Sequence, residues 1–249
     1  MIFLPSQPKI IEKKDNFAAF EIGSLYPGYG ITIGNSLRRV LLSSLPGAAV
    51  TQVKIKGAQH EFSTIPGVKE DVISILLNLK QLRFKLHSDE PQKAELKARG
   101  IKSVKAALFN FPSQIELVNK NFHIASLTAK SADLNIEIVV EKGLGYETVE
   151  SRKKEKMEIG MMAVDAVFTP VRKVSYRVEN MRVGERTDFD RLFLDLETDG
   201  TITPEEAFLQ AAEILISHFS LFKETFQKIE TSEPADKKHE KKKKRKKTK

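Results

Sequence analysis

The stretch GYGITIGNSLRRVLLSSLPGAAVTQVKIK, residues 28–56, changes its periodicity twice, and those changes decide the class of fold. Pro27-Gly28-Tyr29-Gly30 reads as a turn that needs glycine's backbone freedom. Leu37, Val40, Leu41 and Leu45 then share one face at i, i+3, i+4 and i+8, which predicts a short helix over residues 35–45 with Asn35 as its cap. Pro46-Gly47 ends that helix. Over residues 50–56, Val53 and Ile55 alternate with Lys54 and Lys56, the period of a half-buried strand. Turn, helix and strand in immediate succession predict a two-part protein of mixed helix and strand. The arc of the helix opposite its core face carries Arg38, Arg39, Leu42 and Ser43. A leucine set among arginines is either a contact for a partner or an ordinary surface residue, and periodicity leaves both open.

Working outward, residues 17–25 form a strand pattern ahead of the turn. Beyond the loop 60–68, residues 69–82 read as a helix with Val72, Ile75, Leu76, Leu79 and Leu82 on one face and Lys80 at its edge. Residues 85–125 give only strand-like pieces at 103–109 and 114–118. The cleanest strand is 133–141, with Leu134, Ile136, Ile138 and Val140 on one side, closed by Gly143-Leu144-Gly145. The charged stretch 147–158 reads as an exposed loop before 163–171, and strands follow at 173–183 and 189–197.

The strongest helix start is Thr203-Pro204-Glu205-Glu206: threonine caps, proline takes the first helical position and Glu206 closes a capping box. From there Phe208, Ala212, Leu215, Phe219, Phe222 and Phe226 recur at steps of 4, 3, 4, 3 and 4, a heptad seam that asks for another helix. The chain's own domain is one cover. A helix running to about residue 228 spans roughly 37 Å, more than a compact domain of this size readily covers, which favours a second copy of the chain.

With 249 residues and 41 % hydrophobic content, the chain has material for one large domain or two modest ones. The net charge of +8 is a property of one end. Residues 230–249 hold ten Lys/Arg and four Asp/Glu, which leaves residues 1–229 at +2. Residues 237–249, KKHEKKKKRKKTK, contain no aliphatic or aromatic side chain, so a disordered tail is expected. That tail reads either as a solubilising segment or as a loose contact for phosphates. Zero cysteines exclude disulfides, thiolate zinc sites and cysteine nucleophiles, and no apolar run suggests a signal peptide or a membrane span.

Several apparent chemical motifs fail on spacing. Gly28-x-Gly30-x-x-x-Gly34 has Ile33 where a dinucleotide loop requires its third glycine and lacks a phosphate-loop lysine, so it is read as a backbone turn. His60-Glu61 opens like a zinc-protease motif, but Thr64 stands where the second histidine belongs. Asp195-x-Glu197-x-Asp199-Gly200, with Glu206 beyond it, approaches a calcium loop, yet Leu192, Leu194 and Leu196 alternate as a strand where an entering helix is needed. Asp188-x-Asp190 offers only two acids for a magnesium pair. No catalytic centre is visible.

Two long blocks carry a family resemblance. Residues 34–80, GNSLRRVLLSSLPGAAVTQVKIKGAQHEFSTIPGVKEDVISILLNLK, resemble the signature of bacterial and plastid RNA polymerase alpha subunits. Residues 162–215, from MAVDAVFTPVRKVSYRVEN to TITPEEAFLQAAEIL, resemble the family's second signature, and residues 85–155 match loosely. The resemblance implies an α+β, two-domain architecture: a dimerisation domain of sheet and long helices from residues 1–46 and 171–229, interrupted by an inserted mixed α/β domain at 47–170, with 230–249 as a disordered tail. It further implies a homodimeric scaffold that recruits the beta subunit and then the beta-prime subunit. This chain would act as a non-catalytic subunit of a nucleotidyltransferase without a cofactor, the catalytic magnesium residing in beta-prime. Arg39 and Leu42 fall on the family's beta contacts, Lys80 and Val164 on its beta-prime side, and Phe208, Leu215, Phe219, Phe222 and Phe226 on its dimer helix. The expected location is the bacterial cytoplasm, at the nucleoid, or the plastid stroma. Most family members continue into a small helical DNA-binding domain, whereas this sequence runs into lysines. Sequence-specific upstream binding is therefore not expected, only sequence-indifferent DNA affinity of the tail. The rival reading is a stand-alone nucleic-acid-binding protein that works through that tail.

Overall fold

A computed structural model describes residues 3–152 and 160–231 of the chain. The chain order begins β1 (Lys9–Lys14), β2 (Phe17–Leu25), α1 (Tyr29–Ser43), β3 (Pro46–Ile55), α2 (Val72–Lys80), β4 (Phe84–Leu86), β5 (Gln92–Arg99) and β6 (Lys102–Lys105). It continues through β7 (Phe109–Asn110), β8 (Ile115–Leu117), β9 (His123–Leu127), β10 (Asp133–Leu144), β11 (Tyr146–Glu147), β12 (Met161–Ala163) and β13 (Ala166–Val167). Two long strands, β14 (Val171–Val183) and β15 (Arg186–Thr198), precede the last helix, α3 (Pro204–Thr231). The protein is mixed α+β, as the resemblance implies.

Strands from both sides of the sequence make one antiparallel sheet in the order β1-β2-β15-β14. The middle of the chain makes a second, in the order β7-β5-β10-β3-β4-β8, with β12 added on β3. The first sheet carries α1 and the start of α3 on one face, where Ile22, Leu25 and Leu192 are buried against Ile33, Tyr176, Val178 and Phe208. The second sheet lies under α2, whose Val72, Ile75 and Leu79 enter the large core with Val53, Ile55, Leu96, Leu134, Ile136 and Ile138. Burial of that many aliphatic side chains, at about 1.5–3 kcal/mol each, dominates the stability of this half.

Helix α1 starts at Tyr29, six residues before the position its apolar spacing predicts. The cap comes from elsewhere in the fold: the Asp190 carboxylate on β15 accepts the Gly30 N–H at 2.9 Å and sits at the positive end of the helix. Only Gly28, at φ 84°, acts as a turn residue. Gly30 and Gly34 lie inside the helix, where a Cβ would come within 2.7 Å of Val178 and of Tyr176 respectively. The glycine pattern read as a turn is therefore chiefly a close-packing device that lets α1 settle on β14 and β15. Val40, expected in the core, is only half-buried, and β3 already begins at Pro46.

The other elements match their patterns with shifted ends. Strand β2 spans Phe17–Leu25 as read. Helix α2 is shortened to Val72–Lys80 because the Asp71 carboxylate caps it by accepting the Ser74 N–H at 2.9 Å. The capping box of α3 is complete: Glu206 N–H donates to Thr203 Oγ1 at 3.2 Å and Thr203 N–H donates to Glu206 Oε2 at 3.0 Å. The charged stretch forms turns through Arg152, and its residues 153–159 lie outside the described residues, as does the lysine tail.

Strand β10 runs through Gly143 rather than ending there, and Gly143 stands opposite Gly47 across the β3–β10 ladder. Phe168 covers both glycines; a Cβ at Gly143 would meet its ring at 2.5 Å, and one at Gly47 would overlap its backbone carbonyl. Replacing Gly47 with alanine forces backbone to move against backbone. Gly47→Ala is expected to lower stability by about 2–4 kcal/mol in urea unfolding, while Ala48→Gly, two-layer packing intact, costs less.

Candidate functional site

Helix α1 buries Leu37, Leu41 and Leu45 and leaves Arg38 and Arg39 exposed, with Leu42 half-buried at the boundary. Neither guanidinium has an ion-pair partner among the described residues. The Ser43 hydroxyl donates to the Arg39 carbonyl at 2.7 Å in the last turn of the helix. The result is a rigid helical face with two free cations beside an accessible leucine, a surface suited to carboxylates and apolar groups of another chain.

Lys80 and Val164, separated by most of the second sheet's sequence, line one groove of about 380 Å³. Leu76, Leu77 and Met162 supply its apolar wall, and Phe62 stands exposed at its rim. Val164 is held by its N–H donating to the Thr51 carbonyl at 2.9 Å, while the Arg152 guanidinium donates to the carbonyls of Thr51 and Val164. Lys80 ends α2 with its ammonium 3.6 Å from the Asp165 carboxylate and 5.2 Å from the centre of the Tyr146 ring. Asp165 is the hub. It accepts the Val149 N–H at 3.0 Å and the Tyr146 hydroxyl at 2.9 Å, and these two bonds, with Lys80 behind them, hold its carboxyl below the usual range. The same bond to Asp165 raises the Tyr146 phenol. Sequence reasoning named Lys80 and Val164 and missed Asp165, Tyr146 and Arg152. Arg152 sits in the stretch read as a simple charged loop, and no local pattern announces its two carbonyl partners.

The residues of the α3 seam differ in their surroundings. Phe208 stacks on Phe20 with ring centres 4.9 Å apart and belongs to the core of the first sheet. Ala212 and Leu215 are half-buried. Phe219, Phe222 and Phe226 are 63 %, 57 % and 66 % exposed, and Leu221 and Ile216 are exposed as well. Single exposed hydrophobes are ordinary, but this many on one helix are not.

The remaining acids have structural employment. Asp199 is 4 % exposed and pairs with Arg83 at 3.2 Å, and its other oxygen accepts from the Thr201 N–H and hydroxyl. Burial pushes the Arg83 guanidinium down while Asp199 opposes that shift. Asp190 caps α1, Asp188 pairs with Arg186 at 2.7 Å, and Ser175 donates to Asp195. His60 Nδ1 lies 3.3 Å from the Ser63 hydroxyl. Among the described residues no group of three or more His, Cys, Asp or Glu side chains is placed to hold a metal ion, and no helix is long and apolar enough to cross a membrane.

An α+β chain with an arginine-lined helix face, an apolar groove closed by an ion pair and a bare aromatic helix has the surfaces of an assembly component. Comparison with known proteins specifies which. Residues 53–169 match the family described as RNA polymerase Rpb3/RpoA insert domain. The chain is 46 % identical over 220 residues to the DNA-directed RNA polymerase subunit alpha of Oceanobacillus iheyensis, covering 87 % of this chain and 70 % of that one. It is 47 % identical over 220 residues to the subunit alpha of Alkaliphilus oremlandii, covering 87 % and 69 %. With the subunit alpha of Moorella thermoacetica it shares 51 % over 208 residues, 84 % of this chain and 66 % of that one. This chain belongs to the family of bacterial-type DNA-directed RNA polymerase alpha subunits.

The bond between Asp165 and Tyr146 gives a direct test of the groove. In Asp165→Asn the phenol loses its carboxylate partner, so one of the four tyrosines is expected to ionise at lower pH in an ultraviolet titration. In the same variant the Val149 amide should exchange faster with solvent. An unchanged tyrosine titration would mean that the Asp165–Tyr146 bond does not form in solution.

Proposed function

We propose that this chain is the homodimeric, non-catalytic scaffold of its polymerase. Two copies associate through α3, and the dimer then gathers the beta and beta-prime subunits. Catalysis, with the magnesium it uses, belongs to beta-prime, so this chain's contribution is positional. The single observation that carries the reading is the aromatic surface of α3, where Phe219, Phe222 and Phe226 stand bare in one copy. Each would contribute about 1.5–3 kcal/mol on burial, enough together to hold a dimer at cellular concentration.

In this reading the sheet built from residues 1–46 and 171–229 is the dimerisation domain, and 47–170 is a domain inserted into it. Phe208 serves from inside by fixing the start of α3 on Phe20, while Leu215, Phe219, Phe222 and Phe226 meet the second copy. Arg39 and Leu42 meet the beta subunit, supported by the exposure of Arg39, by the half-buried Leu42 beside it and by the absence of an internal partner for Arg39 among the described residues. Lys80 and Val164 meet beta-prime, supported by their convergence on one apolar groove. The same reading puts the protein where transcription takes place, the bacterial cytoplasm or the plastid stroma.

The double variant Phe219→Glu/Phe222→Glu is expected to sediment as a monomer with an unchanged circular dichroism spectrum; a sedimenting dimer would place self-association elsewhere. Arg39→Ala should leave the dimer intact and reduce capture of the beta subunit by at least tenfold in a pull-down with purified subunits. Retained capture would remove Arg39 from that interface without touching the dimer.

A further inference from the structure

Beside the second sheet lies the two-stranded ribbon β6–β9, whose lysines have no ion-pair partner among the described residues. We propose that this ribbon is a docking strip for the phosphodiester backbone of nucleic acid, separate from the lysine tail. Its register sets Ser103 opposite Ser126 and Lys105 opposite His123, so two hydroxyls, an imidazole and an ammonium share one face. Ser103 Oγ lies 3.2 Å from His123 Nδ1, and Glu70 holds the other side of the ring at 3.1 Å. Glu70 is itself fixed by the Ser126 N–H at 2.6 Å, so the imidazole is oriented rather than free.

Lysines surround this polar centre. Lys102 begins the ribbon, and Lys105 ends β6. Lys120 lies beside that end, its carbonyl accepting the Ala107 N–H at 2.9 Å. Lys69 flanks the far edge of β9, where its N–H donates to the Ser126 carbonyl at 2.9 Å, and Lys130 lies in the turn after β9. All five side chains are exposed. None has an ion-pair partner among the described residues, whereas Lys56, Lys97, Arg99 and Lys142 in the same half are paired with acids. Glu70 and Asp71 are engaged with His123 and with the Ser74 N–H of helix α2, and Asp133, three residues beyond Lys130, pairs with Lys56 and Arg99. Five lysines without ion-pair partners against these three engaged acids leave the strip positive.

Strand β9 has five residues and extends about 17 Å, which spans about five phosphates of one strand measured along the axis of a duplex. Serine hydroxyls and exposed ammonium groups bind phosphate oxygens and read no base sequence. Sequence-indifferent attachment follows. The ribbon is remote in sequence from Arg39 and from the α3 seam, so the inference stands whether or not the scaffold reading does.

The test is binding of a labelled 20-base-pair duplex and a single-stranded RNA to the full chain, by fluorescence anisotropy across a salt series. The comparison is between the parent, Lys102→Glu/Lys105→Glu/Lys120→Glu, and a variant with Lys241–Lys244 changed to glutamine. Loss of three phosphate contacts is expected to flatten the plot of log affinity against log salt by about 2–3 for duplex DNA, in addition to any tail effect. Equal flattening with RNA identifies the shared phosphodiester chemistry; flattening with one polymer alone identifies that polymer as the ligand. Unchanged affinity and slope with both would overturn the proposal. So would binding of polyglutamate that the triple variant abolishes while nucleic-acid binding persists, because the strip would then serve an acidic protein. Sedimentation of the triple variant as the parent does verifies that the fold is kept.

Discussion

The pairing of β2 with β15 is the constraint on which the other elements depend. It joins Ala18 to Leu196 and Ile22 to Leu192, so the strand near the start of the sequence is completed by one near its end. Everything between them is a loop closed by that ladder, and the entropy of closing it must be met by burial elsewhere. The closed segment meets the cost by making its own sheet and core around β3, β5 and β10. That middle is itself held by non-local ladders, β3 with β10 and with β12, so both sheets depend on segments far apart in the chain. Helix α1 is the joint: it lies on β14 and β15 through Gly30 and Gly34, then passes directly into β3 of the other sheet.

Buried carboxylates keep the joined parts in register. Asp190 reaches from β15 to the first turn of α1, and Asp199, just past the end of β15, reaches Arg83 beside β4. Neither is exposed by more than a few per cent, and each has a positive partner, a helix N-terminus in one case and a guanidinium in the other. A buried ion pair adds little net stability over a well-packed apolar pair, but leaving one member alone is costly. Such contacts therefore fix relative position more than they add stability. One acid from each apparent metal motif, Asp199 from the calcium-like loop and Asp190 from the magnesium-like pair, is used for this purpose.

The elements legible in the sequence were those whose signal is local. Strand β2, the core faces of α1 and α2, strand β10 and the capping box of α3 each carry their period or cap within a dozen residues. What escaped was held from a distance. The early start of α1 depends on Asp190, and the continuation of β10 through Gly143 depends on Phe168. Strand β5 alternates Ala94, Leu96 and Ala98 into the core, but two of its three inward residues are alanines, too small to register as a hydrophobic face among lysines. The same division holds at the groove. Lys80 and Val164 were named from family resemblance, whereas Asp165, Tyr146 and Arg152 act through bonds between segments that no sequence period connects.

The heptad seam shows how a single periodic signal divides once three dimensions are present. Phe208 and Phe219 follow the same spacing rule, yet Phe208 is stacked on Phe20 and Phe219 faces solvent. A seam satisfied throughout by its own domain would be buried along all of its about five turns, and one satisfied nowhere would leave α3 unanchored. The observed division gives the helix a fixed root, through Ala207, Phe208 and Ala211 on the first sheet, and an apolar remainder with no cover in the described residues. The root, up to Ala211, belongs to the first sheet's core, and the exposed aromatic residues all lie beyond it. The spacing rule alone therefore does not separate a core position from a surface one; the packing of Phe208 on Phe20 does.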